Sequence, residues 1–188
     1  MSDRSRYEHL SVLLVDDDRF MLTLVKTVLQ SLGFKKITDA TNAADAFKAM
    51  KETPADLIIT DWEMEPLDGL DLIRMVRQAA DSPSQTVPII LLSAYTDARR
   101  VMEARDAGVN EVVAKPVSAT ALDRRIASIL TRPRAFIRTE FYSGPDRRRR
   151  DDGPPAGVKG RRADDHDIAP AKGSAGDMDE IQALLGRK

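Results

Sequence analysis

The chain has 188 residues, 42% of them hydrophobic, which suits one ordinary domain of about 120–150 residues with an extension and argues against two full domains. With no cysteine and only two separated histidines, His9 and His166, it excludes disulfides, thiolate metal sites and cysteine nucleophiles and leaves little for zinc or copper. The net charge of −1 is unevenly spread: residues 1–131 carry 16 basic and 20 acidic side chains, residues 132–188 carry 13 and 10, and residues 132–162 alone carry ten against four.

No apolar run approaches the roughly 20 residues of a membrane helix, and the start MSDRSRYEHL lacks the apolar core of a secretory signal. A cytoplasmic protein without a membrane span is expected. Residues 1–9 form a lead. Residues 10–131 then alternate short runs rich in Val, Ile and Leu with longer segments of helical spacing, the signature of repeated βα units. The strands are predicted at SVLLV ending at Val15, KITDA ending at Ala40, DLIIT ending at Thr60, VPIILL ending at Leu92 and NEVVA ending at Ala114.

Between them, Met21, Leu24, Val25, Val28, Leu29 and Leu32 share one helical face closed by Gly33, and Ala43, Ala46, Phe47 and Met50 share another before Pro54. Asp68 can cap a third helix, Thr96 or Asp97 a fourth that stops at Gly108, and Ser118 a fifth carrying Leu122, Ile126, Ile129 and Leu130. Near-continuous apolar strands imply a parallel sheet covered on both faces, an α/β doubly wound (βα)5 fold that binds ligands at the carboxyl ends of its strands.

The polar residues following those strands are Asp16 and Asp17, Asp61, Ser93 and Lys115, and the topology brings all five to one edge. Three carboxylates close together raise each other's pKa unless a cation sits among them. Oxygen ligands without histidine or cysteine point to magnesium, which keeps several waters and welcomes phosphate oxygens. Lys115 can neutralise a phosphoryl oxygen and the Ser93 hydroxyl can bond another, leaving Asp61 as the nucleophile.

In their order, VLLVDDD, DLIITDWEMEPLDG, LLSAY and VVAKP resemble the receiver domain of two-component response regulators, over about residues 10–131. The resemblance implies a flavodoxin-like sheet of order 2-1-3-4-5. It also implies a phosphoryl group accepted on Asp61 from a histidine kinase or phosphotransfer protein, Mg2+ handled by Asp16, Asp17, Asp61 and the backbone carbonyl of Glu63, and phosphoryl contacts from Ser93 and Lys115. On this reading the chain is a switch rather than an enzyme. A phosphohydrolase with an aspartyl nucleophile would carry its DxD after the first strand, whereas Asp61 follows the third. Most receivers have Tyr or Phe three residues before the lysine, where the ring moves inward on activation, and this chain has Val112. Tyr95 either takes that place, tunes water access together with Glu63, or is an ordinary surface tyrosine. Trp62 adjoins Asp61 and should report on the site.

Residues 132–175 form a basic tail rich in Arg, Pro and Gly that cannot build a core of its own, with no helix-turn-helix periodicity and so no DNA-binding domain. Its RPRAFIRTEFYSGPDRRRR interleaves arginines with aromatics and resembles extensions of chemotaxis-like receivers that bind cyclic di-GMP. Arg147, Arg148, Arg149 and Arg150 are the candidate ligand-binding residues of a tail expected to be largely disordered, with a solvated linker, nucleic acid or a membrane surface as the other readings. Residues 176–188 read as a short amphipathic helix capped by Asp177, and EIQALLG resembles a segment of the flagellar switch protein. The expected function is a single-domain response regulator in chemotaxis or a related phosphorelay, whose partner is the flagellar switch or another receiver; the alternative is a cyclic di-GMP effector.

Overall fold

The computed structural model describes residues 6–147 and 166–167. Five strands alternate with five helices: β1 (Ser11–Val15), α1 (Arg19–Ser31), β2 (Lys36–Ala40), α2 (Ala43–Glu52), β3 (Leu57–Asp61), α3 (Gly69–Gln78), β4 (Ile89–Ser93), α4 (Ala98–Ala107), β5 (Glu111–Ala114) and α5 (Ala119–Thr131). The sheet is parallel with order β2-β1-β3-β4-β5, so the expected doubly wound fold and strand order are both present.

Alternation along the strands divides the core in two. Leu13, Val15, Ile58, Ile89 and Leu91 face α2, α3 and α4, while Val12, Leu14, Leu57, Ile59, Ile90, Leu92 and Val113 face α1 and α5. Both faces are therefore dry, which is why β3 and β4 are buried at every residue. The helix starts fall where short polar side chains can take an orphan amide: Asp18 from Phe20, Asn42 from Asp45, Asp68 from Asp71, Asp97 from Arg99 and Arg100, and Ser118 from Ala121. Gly33 and Gly108 stand beyond the ends of α1 and α4 with φ of 106° and 100°, a left-handed backbone that glycine adopts without strain. Two strands run one residue further than the apolar pattern suggests. Asp61 and Ser93 are the last residues of β3 and β4 because the backbone ladder continues through Asp61 against Leu92 and Ser93 against Ala114, whatever their side chains.

The flanks depart further from expectation. The lead carries a core residue, since Tyr7 is buried, stacks on Phe34 with ring centroids 4.8 Å apart and donates its hydroxyl to Asp123 at 2.7 Å. Burial, reinforced by that carboxylate, pushes the Tyr7 pKa up. Beyond α5, the chain turns back as β6 (Phe136–Arg138) and β7 (Ser143–Pro145), an antiparallel pair that β8 (His166–Asp167) extends on the other side of β6. The tail thus begins with ordered structure, and it lacks a core of its own only because it borrows one from the domain.

That borrowed site is the end of α3. Arg77 is fully buried; its guanidinium donates to the carbonyls of Gly108, Gln85 and Val87 and to Asn110 Oδ1, and the Phe136 ring covers it at 5.5 Å. Burial brings its pKa down to about 9, which keeps the group charged at neutral pH, and four oxygen acceptors offset the loss of water. Ser143 donates its hydroxyl to the Arg77 carbonyl at 2.9 Å. Gly144 lies so close to Gly108 that a Cβ would come within 2.7 Å of its Cα. Tyr142 is buried and donates to the Pro145 carbonyl at 2.5 Å. No described helix is long and apolar enough to cross a membrane.

Removing this hairpin takes away the buried side chains of Phe136 and Tyr142, and burial of each is worth roughly 1.5–3 kcal/mol. A chain ending at Thr131 is therefore expected to be about 2–5 kcal/mol less stable in urea than one ending at Arg147. Coincident unfolding curves would show that the hairpin only rests on the domain.

Candidate functional site

Asp61 closes β3 with its side chain nearly covered, at 5% exposure. Its position is set by backbone on three sides. The following amide, Trp62 N–H, donates to the Leu92 carbonyl at 2.9 Å, and the Trp62 carbonyl accepts from Gly69 N–H at 2.9 Å. Gly69 begins α3 directly on the acceptor: a Cβ there would lie 2.0 Å from the Asp61 carbonyl oxygen. Asp68 and Asp71 cap this turn reciprocally. The turn DWEMEPLDG is therefore a closed loop that returns the chain to the acceptor's own peptide.

Around Asp61 the first strand contributes Asp16 and Asp17, and one oxygen from each of the three carboxylates lies within 4.8 Å of the others. Asp16 is buried and Asp17 exposed. Asp16 Oδ1 accepts from the Asp18 amide at 2.9 Å, which turns the carboxylate toward the sheet edge. The Lys115 ammonium reaches Asp61 Oδ1 at 2.8 Å and Asp16 Oδ2 at 3.3 Å. Burial, with the neighbouring Asp61 charge adding to it, holds the Asp16 carboxyl above its usual range against the pull of Lys115 and the Asp18 amide. Burial works the other way on Lys115, but the two carboxylates outweigh it and its pKa is raised. One lysine facing three carboxylates leaves a net negative, oxygen-only pocket that could hold a metal ion.

Ser93, at the end of β4, is fully buried, but its hydroxyl is turned to its own loop: it donates to the Tyr95 carbonyl at 2.6 Å and accepts from the Tyr95 amide at 3.1 Å. Lys115 follows β5 and is held to the same edge by its amide, which donates to the Ser93 carbonyl at 2.8 Å. The five residues read from the sequence thus meet at one edge. Glu63 lies beside them, its carboxylate turned outward to Arg100 at 3.2 Å.

Two residues at or near the site, Gly69 and Arg100, escaped the sequence reading, and so did Arg77 at the opposite end of α3. Gly69 had a visible signal, the Asp-Gly that ends the acceptor loop. Arg100 and Arg77 had none, because a lone arginine on a helix is usually a solvated one. Val112 is half-buried against the α2–α4 side of the core, and Tyr95 is exposed at 56%. Of the arginine run, only Arg147 is among the described residues. It pairs with Asp106 at 3.0 Å and lies over the Tyr142 ring at 4.3 Å. Arg148, Arg149 and Arg150, like the expected helix at 176–188, lie outside the described residues.

The model of the response regulator receiver domain family matches residues 12–127. Chemotaxis protein CheY-3 of Vibrio cholerae serotype O1 is 31% identical over 125 residues, covering 66% of this chain and 95% of that protein. Chemotaxis protein CheY of Pseudomonas aeruginosa is 33% identical over 123 residues, covering 65% and 98%. Among solved structures, the receiver domain of Francisella response regulator 1452 superposes with a TM-score of 0.57 at 28% identity, covering 63% of this chain and 94% of that one. The fold and the acidic edge define an α/β domain of the receiver type. The chain belongs to the response regulator receiver family and is similar to the chemotaxis receivers within it.

Gly69→Ala forces a methyl onto the acceptor's backbone oxygen, a clash that no rotamer can relieve. The variant is expected to lose about 3 kcal/mol or more in thermal or urea unfolding, with a shift in the fluorescence of Trp62. Retention of full stability would mean that α3 slides freely beneath the site.

Proposed function

We propose that this chain is a phosphorylation switch in two-component signalling: Asp61 takes a phosphoryl group from a phosphohistidine of a sensor kinase or phosphotransfer protein, and the output is binding of a protein partner. The observation that carries this reading is the Lys115 ammonium set 2.8 Å from Asp61 Oδ1 and 3.3 Å from Asp16 Oδ2. Such a charge is placed to meet the new negative oxygens of a group arriving on Asp61. An Asp61 oxygen attacks phosphorus, the N–P bond of the donor breaks, and the leaving imidazole nitrogen takes up a proton. Lys115 neutralises one phosphoryl oxygen. Ser93 bonds another after its hydroxyl leaves the Tyr95 carbonyl.

The metal we assign is Mg2+, which Asp16, Asp17, Asp61 and the Glu63 backbone carbonyl would hold, since the donors are all oxygen and this ion accepts phosphate oxygens and water beside carboxylates. When bound it supplies the positive charge that lets carboxylates and phosphoryl group share one site. The chain then acts as a switch rather than an enzyme, because the acyl phosphate is its signal and water slowly removes it.

The chemotaxis names of its relatives support a motility or related relay; we place that relay in the cytoplasm and take the flagellar switch or another receiver as the partner. Cyclic di-GMP gains no such support. Of its candidate residues Arg147 is engaged by Asp106 and Tyr142, and the other three lie outside the described residues.

Incubated with a small phosphodonor and Mg2+, the protein is expected to gain the mass of one phosphoryl group, and Asp61→Asn to gain none. Asp17→Asn should weaken Mg2+ binding about tenfold or more in a Trp62 fluorescence titration. Labelling that survives Asp61→Asn would sink the assignment.

A further inference from the structure

Arg100 has no part in the phosphoacceptor chemistry, yet it holds both loops that carry it. Its guanidinium carbon lies 5.0 Å from the centroid of the Trp62 ring and 4.8 Å from that of Tyr95, and Nη1 donates to Glu63 Oε1 at 3.2 Å. Trp62 and Glu63 follow the acceptor Asp61, while Tyr95 follows Ser93. One side chain from the first turn of α4 therefore ties that turn to the loop after β3 and to the loop after β4.

These contacts matter because the first turn of α4 has little else. The buried residues of the helix are Ala104 and Ala107, both in its second half. Ala98, Arg99, Val101, Met102 and Glu103 are exposed. The far end, by contrast, is pinned: Asp106 pairs with Arg147, and the left-handed Gly108 sits where a Cβ would come 2.6 Å from the Ser143 carbonyl oxygen. The helix is fixed at its carboxyl end by the hairpin and at its amino end by one arginine.

Ser93 connects this to the site. Its hydroxyl both donates to and accepts from the backbone of Tyr95, at 2.6 and 3.1 Å. To donate to a phosphoryl oxygen on Asp61 it must give up its bond to the Tyr95 carbonyl, which loosens the hold on Tyr95. Arg100 then loses the ring on one side. Glu63 and Trp62 sit on the peptide next to the modified residue, so the other two contacts feel the same event. With Val112 in place of an aromatic, no ring from β5 is available to carry the message.

We propose that Arg100 is a latch: in the unphosphorylated protein it holds the first turn of α4 against Trp62, Glu63 and Tyr95, and it releases that turn when Ser93 moves to the phosphoryl group. The latch rests on the phosphoacceptor reading above and adds the route by which the modification reaches α4. It acts as a positioning residue and touches no reacting atom.

The test uses the full chain, its Arg100→Ala and Arg100→Lys variants, and beryllofluoride with Mg2+ as the acyl phosphate mimic. Amide hydrogen exchange is read at Val101, whose N–H donates to the Asp97 carbonyl at 3.0 Å, and mimic affinity is read by Trp62 fluorescence. Without ligand, Arg100→Ala should raise exchange in the first turn of α4 by about tenfold, and it should bind the mimic several-fold more tightly because no latch opposes the loaded state. Arg100→Lys keeps the charge without the planar stack and should fall between. In the wild type the mimic should loosen the same turn, a change that Arg100→Ala should no longer show. If the wild type responds to the mimic while Arg100→Ala matches it in both exchange and affinity, the latch fails and the acceptor reading stands. A rise in exchange spread evenly over all five helices would also overturn it, since Arg100 would then serve general stability. If the wild type itself ignores the mimic, the acceptor reading falls and the latch falls with it.

Discussion

Three carboxylates at one end of a sheet repel one another, and the whole carboxyl edge of this domain is arranged around that repulsion. Lys115 relieves part of it by touching Asp61 and Asp16 together, at 2.8 and 3.3 Å. Burial keeps the relief partial: Asp16 is nearly without water and its carboxyl titrates above the usual range. A fully neutralised edge would be a structural salt bridge, and an edge without lysine would open. The balance in between leaves the site wanting further positive charge, which suits a cation and a ligand that brings its own oxygens to share it.

That balance depends on fixed backbone. Asp61 belongs to the β-ladder, and Gly69 brings α3 down onto the carbonyl of the same residue. Lys115 is held by its amide to Ser93. The polar groups therefore sit at strand ends and beside a loop closed by a capped helix, so their positions are set by the fold itself. Ser93 differs from them, because its hydroxyl is turned away from the carboxylates and paired within its own loop.

The sheet, its five helices and the five edge residues were legible because each rests on a local rule. Strand burial on two faces gives unbroken apolar runs, short polar residues cap helices, and polar residues at strand ends collect at one edge. What stayed hidden depends on contacts distant in sequence. Arg77 reads as a surface arginine and is buried because three carbonyls from two other segments converge on it. Phe136 and Tyr142 read as stray aromatics in a basic tail and are buried because Arg77 and Gly108 offer a surface to them. Tyr7 reads as part of a lead and stacks on Phe34, 27 residues further along the chain. No periodicity encodes such pairs, since each partner lies in a different element.

The hairpin and the acceptor sit at opposite ends of the same helix, and this gives α4 an asymmetry that its own sequence does not. At its carboxyl end, Ala104 and Ala107 pack in the core and Gly108 meets the hairpin backbone, a contact of close-packed atoms with no soft alternative. At its amino end the attachments are an ion pair and two ring contacts on one guanidinium, each of which can lengthen gradually without opening a cavity. A disturbance at the acceptor therefore meets less resistance in swinging the amino end of α4 than in lifting the helix off the sheet. The hairpin beyond α5 contributes to this outcome from the far end of the helix, because a pivot is needed before one end of a helix can move alone. The basic tail thereby acquires a mechanical role in its first residues, whatever its later arginines bind.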